Sequence, residues 1–185
     1  MVVRNVRPLQ GENVDVLIRN GQIAAVGDDL TPASDAMIID GGGRLLFPGF
    51  VDAHAHTDKS LIGLPWHRHE VGPGLMDKIE HEREIRHIEG IDSYTQSSRI
   101  ARRMIAAGTT HVRTFVDIDT ESKLAGFEGV ARMLDDLRDA LSVQIVAFPQ
   151  SGMLVRPGTV ELMDEALRNG AEVVGGLDPC TIDRD

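Results

Sequence analysis

Two histidines one residue apart, His54 and His56, close a short apolar run, Phe50-Val51-Asp52-Ala53-His54-Ala55-His56. On an extended strand residues i and i+2 share a face, so both imidazoles can reach one ion. Neutral imidazole suits a divalent metal, zinc or iron, and a coordination position left to water would bring that water's pKa toward ~7. Hydroxide would then be available at neutral pH. Paired histidines also occur in cores, satisfied by backbone carbonyls, and for a bare H-x-H that is the commoner case. Position argues for chemistry here. The pair ends an apolar strand behind Pro48-Gly49 and precedes a long segment, Leu61 to Ile91, broken by Pro65, Gly72, Pro73 and Gly74 before the charged stretch Asp77 to Glu89. A long loop, then a helix, following directly on a strand is where β/α folds place a site wall or lid.

The elements that must hold this pair can be read on both sides of it. Upstream, Val14 to Ile18, Gln22 to Val26 and Met37 to Ile39 are short apolar runs separated by Asn20-Gly21 and Gly41-Gly42-Gly43, which predicts antiparallel β-structure with a type I′ hairpin at Asn20-Gly21. A domain boundary is expected near residue 47, with 1–46 as one unit and 47–185 as the other. Downstream, His111 to Asp117, Val143 to Phe148 and Glu172 to Leu177 read as buried parallel strands. Ser93 to Ala107, Leu124 to Leu141 and Val160 to Asn169 carry apolar residues at helical spacing. Gly108 and Gly170 suit helix ends. Repeated β-α order makes the fold class α/β with a parallel sheet.

Composition narrows the function further. The 185 residues are 42% hydrophobic and 26% charged, and 19 Lys and Arg stand against 29 Asp and Glu, a net charge of −10. A phosphate-binding groove for nucleic acid is not expected on such a chain. No run approaches the ~20 apolar residues of a membrane span, and the N-terminus lacks the apolar core of a secretory signal, so a cytoplasmic location is expected. The single cysteine, Cys180, supplies neither a disulfide nor a thiolate cage. Any metal must therefore rest on histidine and carboxylate.

Several ordered segments then resemble one family. Pro48-Gly49-Phe50-Val51-Asp52-Ala53-His54-Ala55-His56 resembles the first-strand signature of the amidohydrolase superfamily. His54 through Ser60, His111 through Asp117 and Gln144 through Gly152 are similar to its cytosine deaminase branch. Asp58-Lys59-Ser60 and Val174 to Pro179 are closer to the triazine-degrading aminohydrolases beside it. The resemblance implies a (β/α)8 TIM barrel with a small β-sandwich made from both chain ends. It implies one divalent metal ion, with His54 and His56 as ligands, and a small heterocyclic substrate of the cyclic amidine or amide class. Gln150 falls on the glutamine that hydrogen-bonds the ring, and an amide can read a ring N–H beside a carbonyl; a loop-fixing role is the alternative. Asp178, before Pro179, stands between loop geometry and substrate contact. Phe115 occupies the place where relatives usually carry histidine, exchanging a polar contact for an apolar one. No lysine on the fourth strand is offered for carboxylation, so a mononuclear site is favoured. The unrelated zinc deaminases, with H-x-E and P-C-x-x-C, are excluded.

His67 and His69 in the loop, His81 and His87 in the charged helix, and His111 read as solvated or structural. Asp58 and Lys59 read as a local loop ion pair, or as a hydrogen-bonding support for the ligands. A complete barrel needs about 250 residues, whereas four β/α strands are countable here. The chain thus reads as the N-terminal half of a barrel preceded by a β-sandwich segment, with further ligands and the general acid/base expected beyond Asp185 and no turnover expected of the chain alone. Another class of function is a non-catalytic half-barrel, a binding or scaffold module pairing with another chain through exposed strand edges. Homo-oligomerisation is compatible with both.

Overall fold

Asn20 and Gly21 adopt φ of 52° and 74°, the paired positive values of the turn that Asn-Gly favours. In the computed structural model, which describes residues 1–68, 70–177, 182 and 183, this turn joins β2 (Val14–Arg19) to β3 (Gln22–Gly27) as antiparallel partners. Two further strands complete a sheet of order β3-β2-β1-β4: β1 (Val2–Pro8) and β4 (Ile38–Leu46). The expectation of purely antiparallel pairing is corrected here, because β1 runs parallel to β4. The glycine triplet, read as a turn, lies inside β4. Register passes from Arg4↔Asp40 to Val6↔Arg44, so the triplet is looped out as a bulge while pairing resumes beyond it. These strands belong to the unit Met1–Pro48; a second unit spans Gly49–Asp185.

The second unit follows the β-α alternation. Its elements are β5 (Phe50–Ala55), α1 (Leu75–Ile88), α2 (Ser93–Ala106), β6 (Thr109–Asp117), α3 (Ala125–Leu137), β7 (Ser142–Phe148), α4 (Thr159–Arg168) and β8 (Val173–Val174). All strand pairs are parallel and lie in chain order, β5-β6-β7-β8. Parallel strands in sequential order, joined by the right-handed crossovers that are the rule, place their connecting helices on one face of the sheet. The third helix stops at Leu137, short of the expected Leu141, whose side chain is nonetheless buried in the core. The fourth strand is two residues long instead of six among the described residues.

The core fills the helix-facing side. Val112 and Val116 of β6 and Val143, Ile145 and Ala147 of β7 meet Phe127, Val130 and Met133 of α3 and Met163 and Ala166 of α4. Asp92 caps α2 by accepting from the Thr95 N–H at 2.8 Å. The start of α2 comes close to α3 at Gly129, where an added Cβ would lie 2.6 Å from the Tyr94 nitrogen and 2.7 Å from the Ser93 Cβ. Because backbone cannot yield as a flexible side chain does, Gly129→Ala is expected to cost about 1–3 kcal/mol in urea unfolding. An unchanged midpoint would refute this close crossing. The opposite face of the sheet is open. Val51 and Val174 are 68% and 60% exposed, and a cavity of 390 Å³ is lined by Val51, Ala53, Arg113, Gln144 and Glu172 among others.

Candidate functional site

Strand parity decides what His54 and His56 can do. On β6 and β7 the register pairs Val112↔Val143, Thr114↔Ile145 and Val116↔Ala147 face the helices, leaving His111, Arg113, Phe115 and Asp117 to the open side. On β5, Asp52 is level with Val112 but Ala55 is level with Thr114, so β5 carries one residue more than β6 over this stretch. That bulge reverses the alternation. Ala55 is buried toward the helices, whereas His54 and His56 lie with Phe115. The Asp52 carboxylate supports the bend by accepting from the His54 N–H at 3.1 Å.

The two imidazole centroids are 5.4 Å apart. Phe115 lies 4.4 Å from His54 and 5.9 Å from His56, and Phe148 lies 5.8 Å from His56 and edge-on to Phe115 at 5.7 Å. Aromatic packing therefore sets the ring positions where a polar group would otherwise do so. The Nδ1 of His56 is buried with no hydrogen-bond partner. Burial holds the His56 imidazole below its ordinary pKa, assisted by the Lys59 ammonium and opposed by the Asp117 carboxylate and the Phe115 backbone. A neutral imidazole with one ring nitrogen unpartnered is the form a metal ion requires.

Beyond the strand, Thr57 ties the chain to β6 through its N–H and hydroxyl, 3.1 and 2.8 Å from the Thr114 hydroxyl. This sets Asp58 and Lys59 under α1. Lys59 does not pair with Asp58 as its neighbour in sequence suggested. Its ammonium donates to Asp117 Oδ1 and Oδ2 at 3.1 and 2.9 Å and to Gln150 Oε1 at 2.6 Å, and lies 3.0 Å from Glu82 Oε1. Arg86 of α1 joins the same group through Glu82 and Asp117. One turn earlier Arg83 reaches Asp119, 3.2 Å away, and Ser151. Burial would raise the Glu82 carboxyl, but Lys59 and Arg86 outweigh it and hold the group below the usual carboxylate range. Ion pairs thus fasten α1 across the C-terminal ends of β6 and β7. Neither this network nor the aromatic pair at Phe148 was foreseen from sequence, although Glu82, Arg83 and Arg86 at helical spacing were a usable signal.

Of the residues singled out in sequence, His54 and His56 at the end of β5 and Gln150 just after β7 come to one end of one sheet, with Gln150 held by Lys59. Asp178 and His69 lie outside the described residues. His67 pairs with Glu89 at 2.7 Å, and His111 sits near the other end of β6, lining the cavity beside Val51. Among the described residues no group of three His, Cys, Asp or Glu side chains could hold a metal ion.

No family model matches the chain. It is 35% identical over 150 residues to the N-isopropylammelide isopropyl amidohydrolase of Pseudomonas sp. (strain ADP), covering 77% of this chain and 36% of that protein. The crystal structure of N-isopropylammelide isopropylaminohydrolase from Burkholderia multivorans superposes with a TM-score of 0.92 at 43% identity, over 98% of this chain and 46% of that one. The 5-methylcytosine deaminase of Klebsiella pneumoniae, solved with 5-fluorocytosine, gives 0.79 at 30% identity over 100% and 45%. The chain therefore spans less than half the length of these relatives. With the first-strand histidine pair, the in-order parallel sheet and these likenesses together, the chain belongs to the amidohydrolase superfamily and corresponds to the N-terminal portion of its members.

Proposed function

We propose that the chain is the N-terminal part of a metal-dependent aminohydrolase that cleaves a C–N bond of a cyclic amidine or amide, a cytosine-like pyrimidine or an N-alkylaminotriazine. In this reading residues from Gly49 onward form the first half of a (β/α)8 barrel, and Met1–Pro48 is one part of a β-sandwich. The observation that carries it is the β5 bulge, which turns both imidazoles to the open end of the sheet where Gln150 also ends.

His54 and His56 would hold one divalent ion, zinc or iron; when bound, that ion supplies Lewis-acid activation of water. The chain's own residues do the remaining work available here. Phe115 packs against both imidazoles and Phe148 against that of His56. Gln150 and Asp178 contact the ring of the substrate. The remaining ligands and the proton-transferring acid/base belong to the portion of the relatives that this chain does not span. Likeness to isopropylaminohydrolases and to a cytosine-type deaminase supports the substrate class.

Titration of the purified chain with Zn²⁺, followed by native mass spectrometry, tests the ligand assignment. A single ion is expected, with affinity reduced on the order of tenfold or more in His54→Ala and in His56→Ala. Equal binding by the wild type and both variants would overturn the assignment.

A further inference from the structure

We infer that Asp183 is a positioning residue that docks the segment after β8 onto the loop after β7, so that Asp178 and Gln150 are presented to the substrate as one unit and not on two independent connections. This rests on the proposed role of those two residues as substrate contacts and deepens it. Strand pairing does not reach far enough to make the tie. Among the described residues β8 pairs with β7 only at Val146↔Val173 and Ala147↔Val174, and the Gly175 N–H adds one bond to the Ala147 carbonyl at 2.8 Å. In the chain Gln150 comes after the end of β7, and Asp178 after the end of β8. Here the Asp183 carboxylate makes the link. Its Oδ2 accepts from the Met153 N–H at 2.7 Å, and its Oδ1 accepts from the Leu154 and Val155 N–H groups at 2.8 and 3.2 Å.

Three successive backbone N–H groups turned to one carboxylate make a concave seat for an anion, and hydrogen bonds to an ionised acceptor are stronger than neutral ones. The Met153 N–H first, with those of Val155 and Leu154, holds the Asp183 carboxyl below its ordinary range against the effect of burial, so it is ionised at neutral pH. Gly152 leaves the room. A Cβ added there would lie 2.6 Å from Asp183 Oδ1 and 2.7 Å from Ile182 Cγ2, and its φ of 87° belongs to the region that glycine enters freely. The loop that offers the seat is anchored from its other side. Gln150 accepts from Lys59 at 2.6 Å, and the buried Ser151 hydroxyl donates to Asp119 Oδ2 at 3.1 Å. Lys59 follows β5, Asp119 follows β6 and Asp183 follows β8. The loop after β7 is therefore a common anchor of these connections, and Asp183 brings the last of them to it. Loss of the carboxylate would release that connection and leave Gln150 where Lys59 holds it.

The test uses the 185-residue chain labelled with ¹⁵N and ¹³C and needs neither metal nor turnover. Scalar couplings across the hydrogen bonds from the Met153 and Leu154 amide nitrogens to the Asp183 carboxyl carbon are expected in the wild type. Their absence from a folded wild-type chain would overturn the proposal, whatever the fate of any variant. In Asp183→Ala the amide protons of Met153, Leu154 and Val155 are expected to move upfield, and the Leu177 and Asp178 amides to leave their wild-type positions. Asp183→Asn should do the same, since it keeps the shape but sets an N–H2 against a seat made of donors. The side-chain N–H2 signals of Gln150 and the ring signals of His54 and His56 are expected to stay in place in both variants, which a general loosening of the fold would not allow. Leu177 and Asp178 amides unmoved in either variant, or displacement of the Gln150 and histidine signals along with them, would refute the docking role. Failure of Zn²⁺ binding would instead count against the aminohydrolase reading and leave the tie made by Asp183 standing.

Discussion

Asp117→Ala is expected to lower the free energy of unfolding by about 3 kcal/mol, because it strips two cations of the carboxylate they share. Asp117 is 2% exposed, and Lys59 and Arg86 are 7% and 20% exposed at their side chains. Removing one member of such a group costs more than the group contributes, since the remaining charges stay in a medium that solvates them poorly. Two neighbours limit the loss. Glu82 remains beside both cations, and Asp58, relieved of the like charge of Asp117, is free to ionise toward Lys59 and Arg86. Urea unfolding of the wild type, Asp117→Ala, Lys59→Met and the double variant measures the coupling directly. The double variant is expected to be more stable than the sum of the single losses predicts. A single-variant loss below about 1 kcal/mol would place the cluster with ordinary surface ion pairs and remove it as the fastening of α1.

Asp58→Asn is expected to stabilise the chain at pH 8 by on the order of 3 kcal/mol and to leave it nearly unchanged at pH 4. Burial, then the Asp117 carboxylate, push the Asp58 carboxyl from 3.8 up to about 7, against the attraction of Lys59 and Arg86. Its Oδ1 is buried without a partner, and Oδ2 accepts only a long bond, 3.4 Å, from the Asp117 N–H. A carboxyl raised on folding keeps its proton where the unfolded chain has already released it. Its contribution is whole below the unfolded pKa and is lost as pH rises through the folded one, so the window is from about pH 4 to pH 7. Asparagine keeps the acceptor and the shape but carries no proton to lose. Stability curves for the two chains should therefore meet at low pH and diverge above neutrality. Parallel curves across that window would show that Asp58 is ionised in the folded chain throughout.

Much of this architecture was legible because it is written locally. The Asn20-Gly21 hairpin follows from the φ that those two residues tolerate, and the β-α order of the second unit follows from apolar spacing and from Gly108 and Gly170 after the helices. The H-x-H pair and Gln150 were legible as residue types at the ends of strands. Phe115 was legible as a departure from its relatives, but its ring contact with His54 was not. The parallel partner of β1 was not legible either, because Val2, Val3 and Val6 are broken by Arg4 and Asn5 and the pairing strand lies some forty residues on.

The sequence by itself determined the element order, the superfamily signature and the identity of the paired histidines, since period, turn chemistry and short motifs each act over a few residues. Tertiary structure alone decided which way the histidines face and what Lys59 is for. One extra residue in β5 reverses strand parity, and that bulge exists only in the register with β6. Lys59 finds Asp117 and Gln150 at separations of 58 and 91 residues instead of Asp58 beside it. Buried charge is settled by whichever counter-charge the packed strands bring within reach, and adjacency in the chain has no claim on that outcome.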